Sequence, residues 1–392
     1  MIFIVVILSI FVAGAEIDIA IPSFPQMREF FGVSPFMIEL VLGVNLFFHC
    51  FGALFCGALG DKFGKKRVIV YGFLLFVLGS LICAITSNFY LLLFARAIQG
   101  IGVAPAMVLS FIIAIEHYSH KGQEKIMGFL NGFSTLSVCI APSLGSYVNY
   151  YFGWHGNFWL LFVLGILALI TFQIFIPDDK KHEKHIKINI LHYFILLKNR
   201  MIFLYLMTAC LTIGAYYTFV GLAPILYIES LGVELKQFGL YQGVLTLVFG
   251  IFSIISGNVI NIFGKKNSFI ASIFLVVLFI IINSIITIAH TQNPLIITST
   301  LLLLSVGFVI PCNILIVLVL DIIPSAKGRV SALISTIKWI FAIIGIQVAS
   351  FFYDKTYTSI GVMMTLMVLI SLILSSIIWR EDEKLRKACL ED

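Results

Sequence analysis

Gly57-Ala-Leu-Gly60-Asp61-Lys62-Phe63-Gly64-Lys65-Lys66-Arg67 closes one long apolar run and opens the next. Two hundred residues further on, Gly257, Asn261, Gly264, Lys265 and Lys266 repeat its spacing, with Asn261 where the first copy has Asp61. A basic turn between two membrane-length runs, present once in each half, predicts a chain built of two similar helix bundles.

The rest of the composition agrees. The chain is 60% hydrophobic and only 11% charged, against about 25% charged in soluble domains. No water-soluble core hides that much apolar surface, so the chain reads as a polytopic membrane protein. The net charge of +6 does not point to nucleic acid, because the positive residues are confined to turns. Of the seven cysteines, all but Cys389 lie in apolar runs. They form neither a CxxC pair nor a disulfide framework and read as small buried residues. The first run begins at Met1 and carries Glu16 and Asp18, which the apolar core of a signal peptide would not. No basic tail precedes it, so an earlier true start is expected. Abundant Phe, Ile and Lys with scarce Arg suggest an AT-rich bacterial genome, and hence a bacterial inner membrane. No nucleophile–base set, metal-ligand cluster or Walker A loop is present, so no enzyme, cofactor, resident metal or ATP-driven pump is expected.

Spanning helices need about 20 mostly apolar residues. Twelve such runs occur, at about 1–24, 36–60, 67–86, 89–115, 124–150, 155–176, 200–228, 236–262, 268–290, 294–321, 329–353 and 358–379. Their length, with no ten-residue alternation, predicts helices rather than a barrel. Nearly all Lys and Arg fall in the turns after spans 2, 4, 6, 8 and 10 and in the tail, against Arg28, Lys236 and Lys355 on the other side. That asymmetry places both termini in the cytoplasm. Trp154, Trp159 and Trp379 stand near span ends, as interfacial anchors do.

The domains expected are 1–176, an N-terminal six-helix bundle; 177–199, a cytoplasmic linker; and 200–392, a C-terminal six-helix bundle with a short cytoplasmic tail. Within the linker, Ile186, Ile188, Ile190, Leu191 and Phe194 suit an amphipathic helix on the inner leaflet, and His182, His185 and His192 belong to a solvated basic loop. Further echoes relate Glu116 to Asp321, and Gly102 and Pro105 to Gly307 and Pro311.

These features resemble the major facilitator superfamily over nearly the whole chain. Gly57 to Arg67 is similar to the family's signature between helices 2 and 3. There Gly57 would let helices 2 and 11 approach, Asp61 would cap or pair at a helix end, and Gly64 would make the turn. Lys65 and Lys66 would hold that turn at the cytoplasmic face, as a gate. Arg96-Ala-Ile-Gln99-Gly100-Ile-Gly102 resembles the span 4 signature. Ala141-Pro142-Ser-Leu-Gly145-Ser146 resembles the span 5 motif of antiporters, with Ala141 and Ser146 replacing glycines; helix 5 would kink at Pro142 and pack closely at Gly145. Asp18-Ile-Ala-Ile-Pro22-Ser-Phe-Pro25 and Phe152-Gly153-Trp154 resemble the Bcr/CflA-like drug:proton antiporters, although Ala20 and His155 depart from that pattern. The resemblance implies an all-α integral membrane protein of twelve transmembrane helices in two six-helix bundles, the major facilitator fold, working as a monomer on a small-molecule substrate and protons.

Charged residues inside spans are costly and mark function. At about 1.5 Å per residue, Asp18 lies roughly 6–12 Å and Arg96 roughly 12 Å below the outer edge, so an Asp18–Arg96 pair is expected. Glu16 and Asp18 are about 200° apart on the helix and cannot face one cavity together. The motif match favours Asp18 as the proton carrier; the alternative is that Glu16 carries the proton and Asp18 binds substrate. Lys338 falls near the midplane of span 11 and favours an anionic substrate. Asn45 and His49 share a face of span 2; they line the cavity or hold helices together, and Asn131 is similar. Glu39 is expected at the interface. Tyr216, Tyr217 and Tyr241 would supply substrate contacts from the C-terminal half. The function expected is proton-coupled alternating access, as multidrug or small-molecule efflux by antiport, with uptake of a small, anionic metabolite by symport as the alternative.

Overall fold

The computed structural model of this chain describes residues 2–116, 120–178, 195–322 and 327–381, without the side chains of some of them, Asn131, Lys265 and Asp321 included. Residues 186–194 of the linker and His182, His185 and His192 lie outside the described residues.

Among the described residues there is no strand, and eleven helical stretches are long and apolar enough to span a membrane. One of them, 136–175, has 40 residues, twice what a bilayer needs. It is interrupted at Gly153, whose φ of 69° and ψ of −179° are not helical. It therefore counts as two spans, which makes the twelve expected.

The helices are α1 (Ile2–Ala20), α2 (Phe24–Phe31), α3 (Pro35–Phe63), α4 (Lys65–Ile85), α5 (Phe89–Glu116), α6 (His120–Phe175, broken at Gly153), α7 (Arg200–Pro224), α8 (Leu235–Phe263), α9 (Lys265–Ile288), α10 (Pro294–Gly307), α11 (Val309–Ile322), α12 (Lys327–Phe351) and α13 (Thr358–Glu381). Several starts are written in polar caps, which satisfy backbone N–H groups that have no partner within the helix. Ser34 Oγ accepts from Met37 N ahead of Pro35; Asn199 caps α7 and Asn293 caps α10 in the same way.

The duplication read from the sequence has a backbone counterpart. Gly64 and Gly264 both make their turns at positive φ, 94° and 76°, a region that favours glycine. Gly102 packs against the backbone of α4 at Gly72 and Phe76, and Gly307 packs against α9 at Leu275 and Val276. Gly57 is different. A Cβ built there meets nothing within 4 Å among the described residues. Asp61 is exposed and makes no ion pair among the described residues, whereas Lys66 is buried and reaches Asp178 at 3.2 Å. The Asp178 side chain is 77% exposed, and exposed ion pairs contribute about 0–1 kcal/mol. Asp178→Asn is therefore expected to leave thermal stability within about 1 kcal/mol of wild type; a larger loss in a melting experiment would contradict this.

Two compact units are formed. In the first, residues 1–188 with 234–243, α5 packs on α3 and α4, and α1 on α6. The first turns of α8 belong to this unit through Ser143 Oγ, which donates to the Gly239 carbonyl at 3.0 Å. In the second, residues 189–233 with 244–392, α7 packs on α11, α12 and α13 around Tyr205, Cys210, Leu315 and Ile337.

Trp154 is not an interfacial anchor. It is 2% exposed, with rings of Phe30 and Phe31 within 5.5 Å of its own and its backbone N–H donating to Gln26 Oε1 at 2.8 Å. The break at Gly153 turns it inward. Trp159, 43% exposed, keeps an outward position.

Candidate functional site

The first unit holds a buried polar cluster centred on Arg96 of α5. Its guanidinium Nη1 donates to Glu16 Oε1 at 2.6 Å, and both side chains are 0% exposed. The expected Asp18–Arg96 pair is thus corrected to Glu16–Arg96. Rotation of α1 explains the exchange. Gly14 packs against Ser134 and Ser137 of α6, and Asp18, four residues on, shares that side of the helix. Glu16 points the other way, toward α5.

Further bonds fix the guanidinium. Nε donates to the Val41 carbonyl of α3 at 3.2 Å, and Nη1 also to Gln99 Oε1 at 2.8 Å. Its carbon stands 5.9 Å from the Phe158 ring centre. Asn45 Nδ2 donates to Glu16 Oε1 at 2.9 Å and to the Arg96 carbonyl at 3.1 Å. Asn45, one of the two open readings for span 2, therefore holds helices together. Gly100 permits this, since a Cβ there would overlap the Asn45 carbonyl oxygen. His49 is buried one turn further along α3. The network continues through Gln99 Nε2, which donates to Ser80 Oγ at 2.7 Å, and Ser80 Oγ, which donates to the Phe76 carbonyl at 2.7 Å. Cys83 Sγ lies 3.6 Å from Gln99 Oε1. Among the described residues, Glu16 Oε2, Arg96 Nη2 and Asn45 Oδ1 are buried without a hydrogen-bond partner. The pair thus uses one carboxylate oxygen and one guanidinium nitrogen, and leaves one of each for another occupant or another geometry.

Asp18 is 3% exposed and makes no hydrogen bond or ion pair among the described residues. Next to it, the Ile19 carbonyl meets Gly145 so closely that a Cβ on Gly145 would overlap it. Asn157 Nδ2 bonds both the Gly145 carbonyl, at 3.1 Å, and Ser23 Oγ, at 2.6 Å. Ser146, standing where the motif has glycine, donates to the Pro142 carbonyl at 2.9 Å. The Pro142–Gly145 motif therefore sets how α1 lies on α6 beside the two acids.

In the second unit, Tyr216 stacks on Phe249 with ring centres 5.8 Å apart, and Tyr217 meets Trp339 edge-on at 4.7 Å. Half-buried Lys338 places its ammonium 4.7 Å from the Trp339 ring centre. Tyr216, Tyr217 and Lys338 are brought together, with Phe249, Phe308 and Trp339 as the partners that sequence reasoning missed. Tyr241 belongs to the first unit. The Asn131 side chain lies outside the described residues. Ser80, Asn157 and Phe158 were also missed; Gln99 was named within the span 4 motif but given no role, although it stands three residues from Arg96 and so on its face of the helix.

Glu39, expected at the interface, is 0% exposed, and neither carboxyl oxygen has a hydrogen-bond partner among the described residues.

Residues 6–346 match the family described as Major Facilitator Superfamily. A bicyclomycin resistance protein homolog of Haemophilus influenzae is 28% identical over 242 residues, 60% of this chain and 61% of that protein. The multidrug resistance protein MdtL of Shigella flexneri serotype 5b is 25% identical over 268 residues, 66% of each chain. The matched region thus spans about three-fifths to two-thirds of these relatives. Among solved structures, a D-xylose-proton symporter superposes with a TM-score of 0.74 at 14% identity over 95% of this chain and 96% of that one. The xylose transporter XylE from E. coli, in a partially occluded inward-open conformation, gives 0.73 over 97% of each. At that identity the likeness is one of fold.

Proposed function

The chain belongs to the major facilitator superfamily, and on that premise we propose that it is a proton-coupled secondary transporter that exports drug-like small molecules by substrate:proton antiport. The observation that carries this reading is the Glu16–Arg96 pair, fully buried in the first unit with one donor and one acceptor left over. Ionisable groups inside membrane spans mark proton and substrate pathways. The relatives' names, bicyclomycin and multidrug resistance, support the cargo class.

In this reading Glu16 carries the proton. Protonation removes the charge that holds Arg96 Nη1 and Asn45 Nδ2, and the contact of α1 with α3 and α5 loosens. Asp18, two residues away and without a partner among the described residues, takes the substrate. The two bundles rock between access states about this site in the bacterial inner membrane, both termini cytoplasmic, as a monomer. Gly64, Lys65 and Lys66 steady the cytoplasmic gate; Tyr216, Tyr217 and Tyr241 add aromatic contact. A second reading, uptake of a small anionic metabolite with protons, is favoured by Lys338 beside Trp339.

Proteoliposomes with an imposed pH gradient separate the two. Offered a cationic dye, an amphenicol and small organic acids, the wild-type protein is expected to move the dye or the amphenicol against the proton flow. Movement of an organic acid with the protons would establish the importer instead. Asp18→Asn is expected to abolish gradient-driven transport with expression unchanged, and full transport by that variant would remove Asp18 from the site.

A further inference from the structure

Glu39 stands in the second turn of α3, at the end of the helix away from Lys62 and Gly64. It is 0% exposed, as are Ile38 and Val41 beside it, and Leu46 on its own face of the helix. Both carboxyl oxygens are sealed from solvent and accept no hydrogen bond among the described residues. The charged side chains described on helices packed against α3 are Glu16 and Asp18 of α1, Arg28 and Glu29 of α2, Lys65, Lys66 and Arg67 of α4, and Arg96 of α5; that of Glu116, the last residue of α5, lies outside the described ones. On α3 itself are His49, Asp61 and Lys62. Among the described residues none lies within hydrogen-bond or ion-pair distance of Glu39. Arg96 comes nearest along the chain of bonds, through the Val41 carbonyl two residues on, and its charge is committed to Glu16.

A carboxylate in that setting is shielded from bulk solvent and has no donor and no counter-ion among the described residues, a combination that folded proteins avoid by keeping the group neutral. Glu16 meets the same burial with two donors. We infer that Glu39 is a second proton-binding site, separate from the Glu16–Arg96 pair, whose carboxyl carries a proton whenever α3 is packed as here. Ionising Glu39 and keeping this packing exclude each other. Release of its proton therefore requires the end of α3 to open, and closing that end takes a proton up.

The test is infrared spectroscopy of the reconstituted full chain, made by cell-free synthesis with glutamate 13C-labelled at its carboxyl carbon. The label separates Glu39 from Asp18. At neutral pH the wild-type protein is expected to show the C=O stretch of a protonated, unbonded glutamic acid. That band is expected to vanish in Glu39→Gln and to persist in Glu16→Gln. Should Glu39→Gln not fold, Glu39→Asp keeps a carboxyl on a shorter, unlabelled side chain, and the labelled band must vanish there as well. A wild-type protein with no such band, or a Glu39 variant that retains it, overturns the assignment. Hydrogen exchange tests the coupling. Residues 35–46 are expected to open with rising pH, beyond the intrinsic rate, in wild type and not in Glu39→Gln; equal behaviour of the two proteins would overturn the link between proton and packing.

Discussion

Arg96→Ala is expected to destabilise the protein by about 3–5 kcal/mol, the usual cost of removing one partner of a buried ion pair, and to end transport. Three consequences fall together. Glu16 loses its counter-ion at 0% exposure; the Val41 carbonyl and Gln99 Oε1 lose a donor; and a void opens beside Phe158. The cost comes from stranding the charge, not from losing a favourable pair, and that distinction is measurable. Arg96→Gln combined with Glu16→Gln removes both charges and restores neutral hydrogen bonding. The double variant should melt close to wild type in detergent while remaining inactive in vesicles. A double variant as unstable as Arg96→Ala would show that volume, not charge, dominates. An Arg96→Ala protein that transports normally would remove the pair from the mechanism.

Gly145→Val should be the second severe change. Its Cβ would overlap the Ile19 carbonyl, with the Ile19 C and Cα atoms at 3.0 and 3.1 Å. The obstacle is backbone, which no side-chain rotation relieves. Overpacking of this kind costs about 1–3 kcal/mol and occasionally more. Relief requires α1 to lift off α6, and Asp18 moves with it. Transport should therefore fall further than the melting temperature alone would suggest. Gly57→Ala is the control. Nothing lies within 4 Å of its Cβ, and alanine is the better helix former by about 1 kcal/mol, so stability should hold or rise. Equal damage from the two substitutions would mean that glycine is needed at both positions for a reason other than space.

The span count, the duplicated glycine turns and the presence of charged residues inside spans at Glu16 and Arg96 were legible because each depends on composition or spacing along the chain. Which acid meets the arginine was not. Depth places Glu16 and Asp18 within about 3 Å of each other along the helix axis, too little to choose between them. The choice is made by helix rotation, which follows from contacts at Gly14 and Gly145 with α6. Those glycines were visible, the first as an unremarked residue and the second as part of a motif, but their partners were not. Trp154 and Glu39 were misplaced for a related reason. Position near a span end suggests the interface, whereas the reversal at Gly153 and the neighbours of α3 decide burial.

The Glu16–Arg96 pair also imposes an order on biogenesis. The two residues are 80 positions apart, and Glu16 leaves the ribosome first. At about 5–20 residues per second, roughly 4–16 s pass before its counter-ion is synthesised. During that interval the first helix carries two acids and no basic partner, and its release into lipid is opposed. The nascent chain is expected to stay at the translocon, or in the company of water, until the fourth span arrives to neutralise it. A codon change that slows synthesis between Glu16 and Arg96 would lengthen that exposure and lower yield without altering a single residue of the finished protein.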